Sequence, residues 1–371
     1  MNPRRVSRQI KVGNVLIGGD APVVVQSMTT TKTDDVEATV AEIQRLQEAG
    51  CEMVRVAVPH QRDALALDKI RSRIQIPLIA DIHFDYRLAL MALDGGIDCL
   101  RLNPGNIGSR DRVEEVARKA KSRSVPIRIG VNAGSLEEDL LEKYGYPTAE
   151  GMVESALRHV RILEELDFHD IKISIKASGV PLMVAAYRLL AKSCDYPLHL
   201  GVTEAGIPPF GLVKSAIGIG ILLSEGIGDT IRVSLTADSV QEVEAGFDIL
   251  RSLELRAKGT LIIACPTCGR IEVDLFKMVE EAKARLAHIT RPLTISILGC
   301  AVNGPGEARE SDVGIAAGKN GGLLIRKGKV VGKYAEGELV DRLVEYVEKL
   351  VAEEEEKEAR EKPGADRAIV G

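Results

Sequence analysis

The feature that most narrows the folds open to this chain is a recurrence. A short β-branched apolar run, a polar end and an amphipathic helical pattern repeat eight times between residues 23 and 253. The strands are expected at 23–28, 53–58, 77–83, 100–103, 127–132, 171–176, 198–203 and 231–235. Helical patterns follow at 35–50, 61–73, 86–96, 109–122, 148–166, 180–192, 208–225 and 239–253. Eight strand–helix units over about 230 residues fit a parallel (β/α)8 TIM-type barrel, with a doubly wound open sheet as the runner-up. Ahead of the repeat, residues 4–18 read as a small hairpin turning at Gly13-Asn14, placed to plug or cap the fold.

Near residue 256 the pattern changes. Strands at 259–264 and 293–298 flank a helix at 271–289, and short strands at 313–316, 322–326 and 329–331 precede a helix at 337–353. The domain expectation is a barrel over 1–255, a small α+β module over 256–353 and an acidic flexible tail over 354–371.

Barrel chemistry gathers at the carboxyl ends of the strands. Those positions hold Arg55, Asp81, His83, Arg101, Asn103, Arg128, Asn132, Lys176, Glu204, Arg232 and Ser234. Four arginines from four strands, joined by Lys176, would repel one another unless an anion sits between them, and guanidinium forks suit phosphate oxygens. The expected ligand carries more than one phosphate charge. The blander reading pairs some of these cations with Asp81 or Glu204, or turns them outward as snorkelling side chains. That explains one arginine more easily than the whole set. His83 and His199, taken singly, read equally well as core histidines, and Gly226 and Gly228 as a turn.

The module carries Cys265-Pro-Thr-Cys268 and, further on, Cys300-Ala-Val-Asn303-Gly-Pro-Gly-Glu307, each directly after a predicted strand. Two thiolates two residues apart can grip one metal from a single loop, and Cys300 adds a third sulfur. Structural zinc, a redox dithiol and an iron–sulfur cluster all use such spacing. The nearby histidine, His288, falls on the intervening helix, which leaves Glu307 as the candidate fourth ligand. A carboxylate is a hard donor mismatched to a soft sulfide cluster, hence exchangeable. The remaining Cys51, Cys99 and Cys194 fall at or before strand starts and read as small buried apolar residues.

Composition weighs against other classes, nucleic-acid binding among them, without excluding them. A net charge of −5, no Trp and 3% aromatic residues supply neither a basic face nor stacking platforms for nucleic acid. No apolar run approaches a membrane span. Unevenly spaced cysteines without a signal peptide point to a reducing compartment, the cytoplasm.

Taken together, the two cysteine segments, Gln26-Ser-Met-Thr, Ala80-Asp-Ile-His-Phe-Asp-Tyr-Arg87, Leu102-Asn-Pro-Gly-Asn-Ile-Gly108, Ile129-Gly-Val-Asn-Ala-Gly-Ser135 and Thr203-Glu-Ala-Gly206 closely resemble the bacterial hydroxymethylbutenyl diphosphate synthases. The resemblance runs from about residue 4 to residue 350 and is to the short, two-domain form. It implies a [4Fe-4S] cluster on Cys265, Cys268, Cys300 and Glu307. It implies as substrate 2-C-methyl-D-erythritol 2,4-cyclodiphosphate, opened reductively to 4-hydroxy-3-methylbut-2-enyl diphosphate, with reduced flavodoxin or ferredoxin as electron donor and a head-to-tail homodimer. On that basis Glu204 is the candidate proton donor, with Asn303, Asp81 and His83 as orienting groups. Arg270, Lys277 and Arg291 are candidates for docking the donor. The competing class is a non-redox, phosphate-binding barrel transferase with a structural zinc module.

Overall fold

A computed structural model describes residues 2–300 and 304–361. The chain divides into two compact units, one ending at Arg256 and the other beginning at Ala257.

The first unit opens with the expected hairpin, β1 (Ile10–Val12) and β2 (Val15–Ile17), paired antiparallel. Its turn residue Gly13 has φ +57°, and a Cβ there would sit 2.9 Å from Asp98 Oδ1, so both backbone and space demand glycine. Ile10, Val12 and Ile17 pack against Val24, Met53, Ile79 and Cys99. The hairpin therefore plugs the amino-terminal end of the barrel.

Eight parallel strands form that barrel: β3 (Val24–Met28), β4 (Met53–Ala57), β5 (Leu78–Asp81), β6 (Cys99–Arg101), β7 (Ile127–Asn132), β8 (Ile171–Lys176), β9 (His199–Leu200) and β10 (Thr230–Ile231). Their order is β8-β7-β6-β5-β4-β3-β10-β9, and the ring closes through a parallel bridge between Ile173 and Leu198. The helices are α1 (Val36–Ala49), α2 (Gln61–Arg71), α3 (Tyr86–Asp94), α4 (Arg110–Ser122), α5 (Glu138–Tyr144), α6 (Ala149–Glu164), α7 (Val180–Ser193), α8 (Phe210–Ser224) and α9 (Ser239–Ser252). Side-chain caps start several of them: Asp35 accepts from Ala38 N, Thr148 from Gly151 N and Asp238 from Val240 N. Gly50, left-handed at φ 103°, ends α1.

Two differences from expectation matter. β9 and β10 have two residues each, where strands over 198–203 and 231–235 were expected. Beyond Leu200 and Ile231 the chain leaves the regular ladder as it enters the mouth. The short α5 was not anticipated, because seven residues span too few turns to show a helical period.

The second unit is a mixed sheet of β11 (Thr260–Ala264), β12 (Leu293–Leu298), β13 (Val313–Gly318), β14 (Gly321–Arg326) and β15 (Lys329–Tyr334), in that spatial order. β11, β12 and β13 run parallel, and β14 and β15 antiparallel. α10 (Leu275–Leu286) packs on the sheet, and α11 (Gly304–Glu307) is a single turn after β12. α12 (Leu339–Glu361) places Leu343, Val347 and Leu350 in the same core as α10. The acidic run expected to fray from residue 354 continues this helix to Glu361, because Arg291 pairs with both Glu354 (2.7 Å) and Glu358 (2.9 Å). No described helix is long and apolar enough to cross a membrane.

If the hairpin plugs the barrel, Ile17→Ala should lower unfolding stability by about 2–4 kcal/mol, the usual range for deleting a buried aliphatic side chain. Equilibrium urea unfolding should show a lower midpoint with an unchanged m-value.

Candidate functional site

Inward-facing residues of β4 to β8 meet at the carboxyl end of the barrel. The parallel register sets Asp81 beside Arg101, Arg101 beside Arg128, and Arg128 beside Lys172. Asp81 Oδ1 accepts from Arg101 Nη1 at 3.1 Å, and its Oδ2 lies 3.6 Å from Arg55 Nε. Arg55 also places Nε and Nη2 3.0 and 2.9 Å from the Met28 sulfur. Two glycines make room for these long side chains. A Cβ on Gly130 would lie 2.6 Å from Arg101 Nε, and one on Gly201 would lie 2.7 Å from Lys176 Nζ.

Of the ten residues expected to bind substrate, nine line one cavity of about 180 Å³: Arg55, Asp81, His83, Arg101, Arg128, Asn132, Lys176, Arg232 and Ser234. Asn103 does not. Its amide donates to Gly130 O (3.0 Å) and accepts from Gly130 N (2.8 Å), so it braces β7 where Arg101 crosses. Glu204 also lies outside the lining; it is exposed, next to the lining residue Thr203, and held at φ +52°. Sequence reasoning missed Ser174 and Thr203 in the lining, and Glu242, whose Oε2 is 3.5 Å from Arg232 Nε. Ser174 was legible through alternation along β8, two residues before Lys176; Glu242 had no signal distinguishing it from other helix carboxylates.

The mouth is electrostatically strained. Burial lowers the Arg55 and Lys176 pKa values well below their ordinary ranges. Asp81 opposes this at Arg55, while neighbouring guanidiniums add to it at both. Arg128 is lowered to about 10 by burial and then by Arg101. Burial alone would push the Asp81 carboxyl up, but Arg55, Arg101 and Arg128 together hold it below the usual range. Burial lowers His83, against the attraction of Asp81, so it is neutral at pH 7. Arg101 Nε, Arg232 Nε and both Nε and Nη1 of Arg128 are buried without a hydrogen-bond partner among the described residues. Charged donors left unpaired in a polar cavity are what a polyanion satisfies.

Below them lie Lys172 and His199, both fully buried. Burial lowers Lys172 to about 8 and takes His199 well down; His199 Nδ1 meets Thr230 Oγ1 at 2.7 Å. His199 is thus a core histidine. Cys51 and Cys99 are buried packing residues as expected, whereas Cys194 is half-buried against the barrel core; burial raises each thiol, Cys51 to about 12.

In the second unit, the parallel pairing of Ala264 with Ile297 makes β11 and β12 end side by side. Cys265 and Cys268 follow the first strand, and Cys300 follows the second. These three thiols and Glu307 line a single cavity of about 130 Å³ together with Pro266, Arg270, Ile271 and Leu298. The Gly299 N–H points to Cys265 Sγ at 3.4 Å, the kind of bond that tunes cluster sulfurs. Among the described residues no three Cys, His, Asp or Glu groups are set as a single-ion site. The donor set, three soft sulfurs and one carboxylate around a shared cavity, fits an iron–sulfur cluster. Asn303 lies outside the described residues. Of the expected docking cations, Arg270 borders the thiols, while Arg291 is tied to Glu354 and Glu358.

The fold and site together define a class: a TIM-barrel protein with an anion-receiving mouth, followed by a small α/β module bearing a thiol-lined cavity. The chain belongs to the GcpE family, matching the GcpE TIM-barrel domain over residues 7–247 and the GcpE protein C-terminal domain over residues 261–349. It is 57% identical to 4-hydroxy-3-methylbut-2-en-1-yl diphosphate synthase (flavodoxin) of Geobacillus thermodenitrificans, over 98% of each chain. It is 61% identical to the protein of the same name from Geobacter sulfurreducens, over 94% of this chain and 98% of that one. Among solved structures, Yersinia pestis dihydropteroate synthase superposes with a TM-score of 0.48 at 14% identity, covering 66% of this chain and 98% of that one.

The charge burial makes a pH prediction. Between about pH 8 and the ordinary lysine value of 10.5, the unfolded chain binds a proton that folded Lys172 does not, so this residue adds stability as pH rises through that window. Below about pH 8 its full penalty is present. Thermal unfolding from pH 8 to 10 without phosphate should show a gain in the native protein that Lys172→Met lacks.

Proposed function

We propose that the protein catalyses the two-electron reductive ring opening and dehydration of 2-C-methyl-D-erythritol 2,4-cyclodiphosphate to 4-hydroxy-3-methylbut-2-enyl diphosphate, a step of isoprenoid biosynthesis by the methylerythritol phosphate pathway. The observation that carries this reading is the mouth itself, where buried and partly unpaired cations from five strands match a ring closed by two phosphates. Nothing in the family assignment supports the alternative, a non-redox transferase with a zinc module.

Arg55, Arg101, Arg128, Lys176 and Arg232 hold the phosphates, and Asn132 and Ser234 add hydrogen bonds. Opening the ring breaks a carbon–oxygen bond to phosphate and leaves an additional negative charge on the diphosphate. The guanidiniums are already in place to stabilise it, without reorganisation. Lys176, which burial holds towards its neutral form, becomes fully charged as the anion enters. His83 is neutral and can donate to, or accept from, a substrate hydroxyl without adding to the repulsion.

With the diphosphate keeping its new negative charge, the reaction consumes two electrons and one proton and releases the C3 oxygen as water. Glu204 is the candidate proton donor. A non-glycine residue at φ +52° costs about 1 kcal/mol or more, and such strain concentrates where a side chain must be aimed. Asn303 is assigned an orienting role from its motif.

Cys265, Cys268, Cys300 and Glu307 would hold a [4Fe-4S] cluster, which supplies electrons singly and a Lewis-acidic site when bound. The chain's own contribution there is the loop geometry, the Gly299 N–H on Cys265 and the exchangeable carboxylate of Glu307. Reduced flavodoxin is the favoured electron donor, with ferredoxin the second choice, and Arg270 beside the thiols is suited to an acidic partner. The working form is a head-to-tail homodimer in the cytoplasm.

Protein purified without oxygen should contain about four iron and four sulfide per chain and bleach on reduction. It should turn over the cyclodiphosphate with reduced flavodoxin. Stoichiometric zinc in colourless protein from iron-replete cells would sink the redox reading. Glu204→Gln should bind substrate normally yet slow single turnover of reduced enzyme by roughly 10²-fold or more, as for loss of a general acid; an unchanged rate removes Glu204 from that role. Glu307→Cys should keep the iron and lose turnover.

A further inference from the structure

Arg232 differs from the other mouth cations in how it is supported. Its strand, β10, ends at Ile231, so Arg232, Val233 and Ser234 lie beyond the regular ladder. Arg232 N still reaches Leu200 O at 2.9 Å, but further along the segment is held from outside the sheet. The holder is Glu242, in the first turn of α9 and 5% exposed. Its Oε1 accepts from Leu235 N at 2.9 Å, its Oε2 accepts from Ser27 Oγ at 3.2 Å, and Oε2 lies 3.5 Å from Arg232 Nε.

α9 itself is tightly placed. A Cβ on Gly246 would be 3.0 Å from Val25 Cγ1, so the helix lies close over β3. Arg232 Nη1 meets a soft neighbour, the Met28 sulfur, at 3.6 Å, and the same sulfur also receives Arg55. Thioether sulfur is a weak acceptor that yields readily to a phosphate oxygen. Nε itself makes no hydrogen bond among the described residues, so the carboxylate holds the guanidinium from its Nε side as an ion pair and leaves the Nη groups for the cavity.

A second carboxylate provides an internal comparison. Glu42 on α1 accepts from Thr30 N (3.0 Å), Thr30 Oγ1 (3.0 Å), Thr31 N (3.0 Å) and Ser239 Oγ (2.9 Å), which are all neutral donors. It braces the chain after β3 much as Glu242 braces the chain after β10, but without a cation. The feature particular to Glu242 is the contact with Arg232.

We propose that Glu242 is a positioning residue for the diphosphate site, aiming the Arg232 guanidinium at the ligand and keeping its segment, with Ser234, in place. The proposal rests on the diphosphate reading above. A purely bracing carboxylate would affect stability alone, whereas one that acts through Arg232 must be coupled to it in ligand affinity.

The test is a double-mutant cycle on full-length enzyme with its cluster, comparing wild type, Glu242→Gln, Arg232→Met and the double variant. KM and kcat are measured with the cyclodiphosphate, and Kd with inorganic pyrophosphate. Glu242→Gln should raise KM and the pyrophosphate Kd roughly tenfold while kcat changes by less than about threefold, the signature of lost binding rather than lost chemistry. The double variant should bind no more weakly than Arg232→Met alone. Glu242→Asp should recover part of the affinity, and Glu42→Gln should lower Tm with little change in Kd. Additive losses in the cycle, or a Glu242→Gln protein that loses Tm but binds pyrophosphate like wild type, would overturn the proposal. Failure of the wild type to turn over the cyclodiphosphate would instead count against the functional reading, because the pyrophosphate cycle reports on Glu242 independently.

Discussion

Arg55, Arg101, Arg128, Lys176 and Arg232 share one mouth, where Asp81 and Glu242 are the carboxylates in contact with them. Desolvating like charges in this way costs several kcal/mol per uncompensated ion. The fold tolerates the cost because the mouth stands on a large apolar barrel core, sealed at the other end by the β1–β2 hairpin. It also explains the directions in which the site titrates. Burial drives Arg55, Lys176 and Lys172 towards their neutral forms, and the cations drive Asp81 towards its charged form. A polyanion reverses the first effect, so binding free energy is drawn from strain already present in the folded protein.

The same constraint governs the backbone around the site. Arg101 and Lys176 can cross the barrel interior because Gly130 on β7 and Gly201 just after β9 have no Cβ in their path. Asn103 then replaces some of the order that Gly130 lacks, clamping its peptide from both sides. β10 stops early, and Glu242 and Ser27 take over from the missing ladder. Support for the site thus passes from backbone hydrogen bonds to side-chain carboxylates at the point where the ligand needs the chain to turn inward.

In the second unit the organising fact is strand direction. Parallel β11 and β12 must end on the same side, and therefore so must the two loops that follow them. Cys265, Cys268 and Cys300 are brought to one cavity by that register, and α11 adds Glu307. The helix α10 between the strands is the crossover that parallel pairing requires, which is why the two cysteine segments stand so far apart in sequence.

Much of this was legible in the residues alone. Hydrophobic period and strand-end chemistry sufficed for the eight units, the hairpin at Gly13-Asn14, the thiol loops and nine residues that line the cavity, because alternation along a strand assigns each side chain a face before any contact is known. What the tertiary structure decided was which of those faces mattered. Asn103 braces Gly130 instead of lining the cavity, His199 belongs to the core, and Arg291 serves the acidic helix that holds residues 354–361. Glu242, one helix carboxylate among many, gains its place through a contact with Arg232 ten residues earlier in the chain. Local pattern determines secondary structure and facing, whereas partnership depends on which elements pack together, and no window of sequence contains that information.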